Sequence, residues 1–445
     1  MSKLTILNKL LPYLIAVFLI FYCWNVYWGG KRWDGFFLSD SGGYYGYLPA
    51  TFIYNDYNFS FIGPIQENNF LNHGAYDFRS SYNGKNIDKW FCGTAVAIAP
   101  FFLTAHVISL IKGAQADGYT FWYAWGLNIA AIFYLLIGLL ALRKVLQHYF
   151  RNEGLISLVL VFIVFATNVF YYATSEPAMS HVYSFAFINL FVLCAIKMSA
   201  SSGKKHILLL GILLGIIVLI RPVNGFIVLI LPFIAGSKSN FMSMLTGLKT
   251  SWKKVCLSVL LFLSVLFIQF IYYKLETGNW LIYAYGDEKM DLLKPHLFDF
   301  LFSYKKGLFV YLPLTLLSLV GSIFLFRKNK WQFYSLSIFI FSLCYILSCW
   351  WNWWYGGSFG TRPLIEYLFI FSILLGTAIE NLQPAAKKIF VTLCFLCLVN
   401  CQVQNYQYRY YFIHWDKMTK QSYWKVFMRV DLMAKKENPN ANLIK

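Results

Sequence analysis

Residues 119–142 of the chain read YTFWYAWGLNIAAIFYLLIGLLAL, and Arg143 and Lys144 follow at once. An α-helix rises 1.5 Å per residue, so about 20 apolar residues cross the roughly 30 Å of hydrocarbon in a bilayer. The stretch therefore predicts a transmembrane helix with a basic end at the membrane surface.

Similar runs fill the rest of the chain. Hydrophobic residues make up 59% of the 445 residues and charged residues 13%, about half the charged share of a soluble protein. This composition excludes a soluble globular protein. The other apolar runs lie at 10–28, 91–111, 155–173, 181–198, 207–220, 223–235, 255–273, 307–326, 333–350, 365–383 and 387–404.

The net charge of +19 does not predict nucleic-acid binding, because the basic residues stand in short clusters between apolar runs and no nucleic-acid motif is present. This is the positive-inside pattern of membrane proteins. The membrane bilayer is therefore the expected partner, and nucleic acid is not. The clusters expected in the cytoplasm are Arg143/Lys144/Arg151, Lys204/Lys205, Lys238/Lys249/Lys253/Lys254, Arg327/Lys328/Lys330 and Lys387/Lys388.

The side of the membrane on which each basic cluster falls depends on how many segments cross before it, and this number predicts the topology. If every run crossed, the basic loop at 143–154 would lie outside, against the rule. The conflict disappears if residues 91–111, which include Thr94, Pro100, Thr104 and His106, form an interfacial or re-entrant element on the outer side. The N-terminus is then cytoplasmic. We expect an all-α polytopic membrane protein with about 11 transmembrane helices plus interfacial helices in the first outer loop.

This topology divides the chain into four regions. Residues 1–28 are the first transmembrane helix, 29–118 the first outer loop, 119–404 the helical bundle and 405–445 an outer C-terminal tail. Of the 19 acidic residues, all but Glu153 and Glu380 then fall outside. Such asymmetry predicts chemistry on the outer face.

The runs 207–220 and 223–235 are short, since 14 helical residues extend only about 21 Å. Arg221-Pro222 joins them, and we expect a hairpin with its tip at membrane depth. A charged side chain at membrane depth costs free energy to insert, so we take such a residue to mark a functional site. Arg221 is therefore a candidate ligand for an anion.

The first outer loop offers a candidate base. Asp40 stands about a dozen residues after the first helix, beside Gly42 and Gly43, which allow close approach of the backbone. A carboxylate at the membrane edge can accept a proton from an incoming hydroxyl or amine. The alternative is that Asp40 caps a helix or forms a loop salt bridge.

An acidic residue with nearby tyrosines just after the first helix resembles the GT-C class of membrane glycosyltransferases, which includes protein O-mannosyltransferases and the aminoarabinose transferase of lipid A. Four further segments resemble bacterial members, in family order and all on the predicted outer face. They are 89–102 (KWFCGTAVAIAPFF), 175–181 (SEPAMSH), 306–313 (KGLFVYLP) and 354–362 (WYGGSFGTR).

The resemblance, which covers residues 1–400 loosely, implies a GT-C-like fold and the transfer of a sugar from a polyprenyl-phosphate donor. The acceptor would be a glycan, lipid or protein on the outer, periplasmic side of the inner membrane. The proposed catalytic residues are Asp40, Glu176 and His181. The candidates for the donor phosphate are Lys89, Arg221, Lys305, Lys306 and Arg362, and those for the sugar are Tyr44, Trp354 and Tyr355.

Each of these residues has a simpler interpretation as well. Glu176 can cap the following helix, His181 can pack in a core, and cationic stems at helix ends can reach lipid headgroups. Trp354 and Tyr355 fit an interfacial aromatic belt. The sequence also departs from the family: Trp90-Phe91 replaces a Pro-Pro after the lysine, and Ser41 replaces a second acid after Asp40. No metal ligands are predicted and no cofactor is required, although a divalent cation is compatible with the class.

Two functions of other classes remain alternatives. A transporter or flippase of lipid-linked saccharides predicts an internal repeat and polar residues midway along several helices. Apart from Arg221, the sequence shows neither. A non-catalytic membrane subunit would tolerate the loss of Asp40.

Overall fold

The computed structural model describes residues 3–30, 33–68, 77–200, 205–432 and 440. Lys204 of the second basic cluster and residues 433–439 and 441–445 of the predicted tail lie outside the described residues. The described chain is an all-α polytopic membrane protein whose β structure is one short hairpin and an isolated bridge between Met290 and Trp350. The fold class predicted from hydropathy is confirmed at this level.

The first half of the chain contains the outer loop and the start of the bundle. Its helices are α1 (Lys3–Cys23), α2 (Asp40–Pro49), α3 (Ile62–Asn68), α4 (Gly93–Ile111), α5 (Phe121–Tyr149), α6 (Glu153–Phe165), α7 (Val169–Thr174), α8 (Ser180–Ala200) and α9 (Lys205–Ile220). The hairpin of β1 (Arg79–Tyr82) and β2 (Lys85–Asp88) precedes α4, with Arg79 opposite Asp88.

The second half completes the bundle. Its helices are α10 (Leu231–Ala235), α11 (Lys238–Thr250), α12 (Trp252–Thr277), α13 (Leu297–Phe302), α14 (Leu308–Tyr311), α15 (Pro313–Ser318), α16 (Val320–Lys328), α17 (Lys330–Ser348), α18 (Leu368–Asn381), α19 (Pro384–Arg409) and α20 (Lys420–Val426). Short 3₁₀ segments cover Asp34–Phe37, Pro222–Ile230 and Arg362–Tyr367.

Eight of the described helices are long and apolar enough to cross a membrane, judged by length and composition. They differ greatly in their surroundings. In the segment Arg362–Asn381, which contains α18, 94% of the apolar window is buried inside the protein, against 11% for α12. The core of the bundle therefore lies around α18, and α12 lies at its periphery.

Contacts between helix ends define two ends of the bundle. At the upper end, the Trp28 indole after α1 donates to Asn128 near the start of α5 (2.9 Å). At the lower end, Tyr149 of α5 stacks on Phe233 of α10, with ring centroids 5.9 Å apart. The residues after α9 thus run back from the upper to the lower end, and the hairpin predicted at Arg221-Pro222 is present. Its second arm begins as 3₁₀ helix rather than α-helix.

Helix α4 differs from the expectation for residues 91–111. Despite Pro100, it is one uninterrupted helix of 19 residues, and it is among the eight apolar enough to cross. Its length and hydrophobicity therefore do not distinguish it from the helices that are expected to cross. Its position is more informative. His106 bonds Tyr123 (2.6 Å) and the Ala97 carbonyl accepts from Tyr134 (3.1 Å), so these contacts with α5 fall in the upper half of that helix.

Two predicted spans are broken and one is longer than expected. The run at 155–173 is divided into α6 and α7 by residues 166–168, and the run at 307–326 into α14, α15 and α16. Pro313 begins α15, since its missing N–H and its ring cannot continue a preceding helix. Helix α19 continues to Arg409, so the region predicted as a tail from residue 405 starts as the last helical turn.

Candidate functional site

The upper end of the bundle holds an ion pair between distant parts of the chain. Asp40 is the first residue of α2, and Arg362 begins the 3₁₀ turn that leads into α18. The Arg362 guanidinium donates through Nη2 to Asp40 Oδ2. Arg362 is 6% exposed, and its Nη1 lies 3.9 Å from Met179 Sδ in the 175–181 segment. Three segments singled out in the sequence therefore meet here.

Local backbone geometry helps to position this pair. Ser39, directly before Asp40, has a φ of 60°, a region that residues other than glycine seldom occupy. Gly360 has a φ of 63°, and a Cβ there would lie 3.1 Å from Tyr311 Cβ. The turn before Arg362 thus needs glycine for its backbone conformation, and an added side chain would crowd Tyr311.

Glu176 and Lys306 lie close enough to the ion pair to interact electrostatically with Arg362. The Tyr171 hydroxyl donates to Glu176 (3.1 Å), and the Lys306 ammonium donates to the Ser358 carbonyl. Desolvation raises the pKa of Glu176 to about 7, although the Arg362 charge opposes the rise. Burial, followed by the Arg362 charge, lowers the pKa of Lys306 to about 7. Both groups therefore titrate close to neutral pH.

A second buried cluster surrounds Arg221. Its Nη1 donates to Glu366 Oε1 at 2.6 Å, and His181 Nδ1 lies 2.8 Å from the same oxygen. Arg221 and His181 are also adjacent, at 3.4 Å. Glu366 is fully buried, so this carboxylate supplies the negative charge that a buried guanidinium requires. An external phosphate is therefore not needed to balance this charge, and the role of Arg221 as a ligand of the donor phosphate stays a prediction.

Glu366 is one of the residues that sequence reasoning misses. The predicted topology places it among the outer carboxylates, but it stands inside the apolar run at 365–383 and receives no role. A signal was present: Arg362 and Glu366 place two charges four residues apart where a chain segment enters the bundle. Buried charges need partners, so this pairing predicts further charged residues nearby.

Tyr44 connects the two clusters. It is 4% exposed and stacks on Trp90, with ring centroids 5.0 Å apart. Its hydroxyl lies in the electrostatic field of Arg221, Arg362 and Asp40. The predicted sugar ligand Tyr44 is therefore placed beside the predicted base.

The other two predicted sugar ligands face cations. The Arg221 guanidinium carbon lies 5.9 Å from the centre of the Tyr355 ring. The Lys305 ammonium lies 3.5 Å from the centre of the Trp354 ring. Such cation–π contacts occupy one face of each ring. A sugar that stacks on either ring would use the other face or displace the cation.

Lys89 and Lys305 each contact an aromatic ring, and each has a carboxylate partner. Lys89 pairs with Glu288 at 2.7 Å and contacts the ring of Trp90. Lys305 pairs with Asp416 at 3.1 Å. The structure thus brings Asp40, Arg362, Glu176 and Lys306 together at the centre, Arg221 and His181 beside them, and the other two lysines at the margin.

Two buried carboxyl groups near this site were not singled out in the sequence. Asp88 accepts from the Trp90 backbone N–H (2.9 Å), but its Oδ2 and both oxygens of Glu276 have no partner among the described residues. Burial raises the pKa of Asp88 well above its usual range. In the described part of the chain, no group of three or more His, Cys, Asp or Glu side chains is arranged to hold a metal ion.

Comparison with family models and with curated protein sequences adds no relative. No family model matches the chain, and no curated protein is significantly similar to it in sequence.

Proposed function

We propose that this protein is a GT-C-type glycosyltransferase, which moves a sugar from a polyprenyl-phosphate donor to an acceptor on the outer side of the membrane. The observation that carries the proposal is the convergence of Asp40, Glu176, Lys306 and Arg362. These residues belong to four segments far apart in sequence, each of which resembles a motif of that class. An enzyme that transfers sugars from a lipid phosphate needs a base, cations for the phosphate and a polar site at the membrane edge, and this group contains all three.

The reaction assigns a role to each residue. The acceptor oxygen or nitrogen attacks the anomeric carbon, the bond from that carbon to the phosphate oxygen breaks, and the acceptor proton moves to the Asp40 carboxylate. Arg362, which is already paired with Asp40, has further N–H donors for the departing phosphate, and the Lys306 ammonium adds a second cation. Fixed cations that stabilise the leaving phosphate supply a large part of the rate enhancement in such sites.

Arg221 and His181 take a different role from the one expected. Both are held by Glu366, so we assign them to positioning: they fix the start of α8 and the turn before α18, and with them Met179 and Arg362. Glu176 lies beside the ion pair and acts as a second acid–base group near neutral pH. Lys89, Lys305, Trp354 and Tyr355 shape the margin of the site.

The same proposal includes the topology. Each change of direction along the bundle begins a new crossing segment. If α4 stays in the upper half, and if α7, α10 and the series α14–α16 complete the shorter spans, there are eleven crossing segments. The upper end is then the outer, periplasmic side of a bacterial inner membrane, with the N-terminus in the cytoplasm and the C-terminus outside. Among the described residues, Arg143–Glu153 (2.5 Å) is the one ion pair at the lower end. This distribution favours an outer reaction site over the polar path across the membrane that a flippase needs.

The test compares two carboxylates of one loop. Asp40→Asn removes the proton acceptor and should lower transfer at least about 100-fold, measured by whole-cell glycan profiling at matched protein levels. Asp34→Asn is the control, because Asp34 bonds only the N–H of Gly35 (2.8 Å) among its described contacts. It should leave the glycans unchanged.

Asp40→Asn also leaves Arg362 without its anion, so the fold must be checked separately by melting temperature in detergent. Asp40→Glu keeps the charge and should fold normally but transfer slowly, because the carboxylate is displaced by a methylene. If both Asp40 variants fold and transfer as well as Asp34→Asn, the base is not Asp40 and the proposal fails. A non-catalytic subunit predicts that result.

A further inference from the structure

A cavity of about 730 Å³ lies at the upper end of the bundle, outside the group of residues described above. It is formed by the turn after α1 and the last turns of α19, and its lining includes Tyr22, Trp24, Asn405 and Arg409. Pockets that bind small ligands usually measure about 300–1,000 Å³. The size therefore suits a lipid headgroup.

Two lining residues have unused hydrogen-bonding groups. Asn405 is 1% exposed, yet neither its amide nitrogen nor its amide oxygen has a partner among the described residues. The Nε of Arg409 is buried and unpartnered as well. Buried polar groups nearly always have partners in native structures. Both side chains line the cavity, so these unpaired groups lie beside a space large enough for a ligand.

The charge of Arg409 is also uncompensated. Its guanidinium carbon lies 5.5 Å from the ring centre of Tyr22 and 5.4 Å from that of Tyr27, and it donates to the Tyr22 hydroxyl. Of the ion pairs formed by described residues, none includes Arg409. A guanidinium with a free N–H beside an amide N–H₂ is suited to the oxygens of a phosphate.

The surface below the cavity is apolar and suits a lipid chain. Phe165 of α6 contacts Phe18 of α1, with ring centroids 5.7 Å apart, and its carbonyl accepts from Gln402 of α19 (2.6 Å). Helix α6 therefore lies behind both α1 and α19. Phe21, on the α1 side, is 67% exposed, and Leu396, on the α19 side, is 58% exposed. A ligand with a phosphate headgroup and an apolar tail matches both parts.

We propose that this cavity binds the phosphate-bearing headgroup of a membrane lipid, with the lipid chain on the apolar surface between α1 and α19. Arg409 and the Asn405 N–H₂ hold the phosphate oxygens, and the Asn405 carbonyl accepts from a hydroxyl of the headgroup. The assignment is independent of sugar transfer, because Asn405 and Arg409 take no part in the proposed reaction.

The experiment measures the melting temperature of the full-length protein in detergent with three additives: dioctanoyl phosphatidic acid, dioctanoylglycerol and inorganic phosphate. Binding to the folded state raises the melting temperature, so phosphatidic acid should raise it in a saturable way. Dioctanoylglycerol, which lacks the phosphate, and inorganic phosphate, which lacks the chain, should raise it far less. Equal shifts with inorganic phosphate would show a free-anion site, and equal shifts with dioctanoylglycerol would show chain binding alone. Either result overturns the proposal.

Substitutions of lining residues test whether the lipid binds in this cavity. Arg409→Gln should weaken phosphatidic acid binding about tenfold or more, because it removes the charge and the Nε donor. Arg429→Gln, which changes an exposed arginine of the same upper end, should bind as the native protein does. Asn405→Leu should also lose the lipid-induced shift, while its melting temperature without lipid stays equal or rises, because an unsatisfied buried amide is removed. Native affinity in both Arg409→Gln and Asn405→Leu would refute the assignment.

Discussion

At the scale of single residues, buried charge explains most of the upper end. The side chains of Arg221 and Arg362 are 13% and 7% exposed, and each is paired with one carboxylate, Glu366 and Asp40 respectively. Removing one partner of such a pair typically costs about 3–5 kcal/mol, because the other charge stays buried and unpaired. The two pairs therefore hold the loops in place whatever reaction they serve.

The pH dependence of donor binding is a residue-scale prediction. The pKa values of Lys306 and Glu176 both lie near 7. Below that pH, Lys306 is charged and Glu176 is neutral, and both states favour a phosphate. As the pH rises through 7, Lys306 loses its charge and Glu176 becomes anionic, so both changes weaken binding. The KM for the lipid-linked donor should rise about tenfold or more between about pH 6 and about pH 8.

Lys306→Arg tests the cause of this dependence. Arginine stays charged across the range, so the rise in KM should be smaller in this variant. Lys305→Arg is the matched control. Its side chain is 26% exposed and pairs with Asp416, and the variant should keep the native pH profile. A profile that is equally steep in Lys306→Arg would exclude the Lys306 ammonium as a phosphate ligand.

At the scale of elements, the glycines of α2 determine how closely the first outer loop packs. A Cβ at Gly43 would lie 1.9 Å from Cδ1 of Trp90 and 3.1 Å from Oδ1 of Asp88. Trp90 in turn stacks on Tyr44. The segment around Gly43 therefore lets the strand–helix connection before α4 approach α2 and place Tyr44 at the site.

Substitution of Gly43 tests this packing. Gly43→Ala should destabilise the protein by about 1–3 kcal/mol, as overpacking does, and should lower transfer because Trp90 and Tyr44 must shift. Gly35→Ala is the control in the same loop, since a Cβ there meets nothing within 4 Å. The measurements are melting temperature in detergent and glycan profile. Equal stability of the two variants would mean that Trp90 can move without loss, and Gly43 would then have no packing role.

At the scale of the whole molecule, the topology depends on α4. Its contacts with α5 lie in the upper half of that helix, and a Cβ at Gly93, its first residue, would clash with the backbone of Leu219 and Ile220 at the end of α9. Those residues directly precede Arg221, near the top of their hairpin. We therefore expect α4 to run upward from the level of Arg221 rather than across the membrane.

Cysteine labelling with a membrane-impermeant maleimide tests this arrangement. Lys112→Cys, just after α4, and Lys420→Cys, at the start of α20, should both react in intact cells. Lys328→Cys, at the lower end, should react only after the membrane is opened. All three positions are exposed in the structure, and the unsubstituted chain with its nine cysteines gives the background. Labelling of Lys112→Cys only in opened cells would place α4 across the membrane.

The sequence by itself determined the class of the protein, because the class follows from local physics. Apolar runs long enough to cross hydrocarbon can only be helices in a bilayer. The basic clusters predict a side of the membrane for each loop. It also indicated the hairpin at Arg221-Pro222, since two runs too short to cross met at a charge and a proline. The segments that carry the candidate site were recognisable as motifs one at a time.

Only the tertiary structure decided which charges meet. Asp40 and Arg362 stand 322 positions apart, and no local pattern pairs them. Glu366 was hidden in an apolar run, and its partnership with Arg221 and His181 depends on how α8, the hairpin and α18 converge. The cavity at Asn405 and Arg409 likewise exists only because α1 and α19 end side by side. Burial and pairing are properties of the packed bundle, and a single segment of sequence does not contain them.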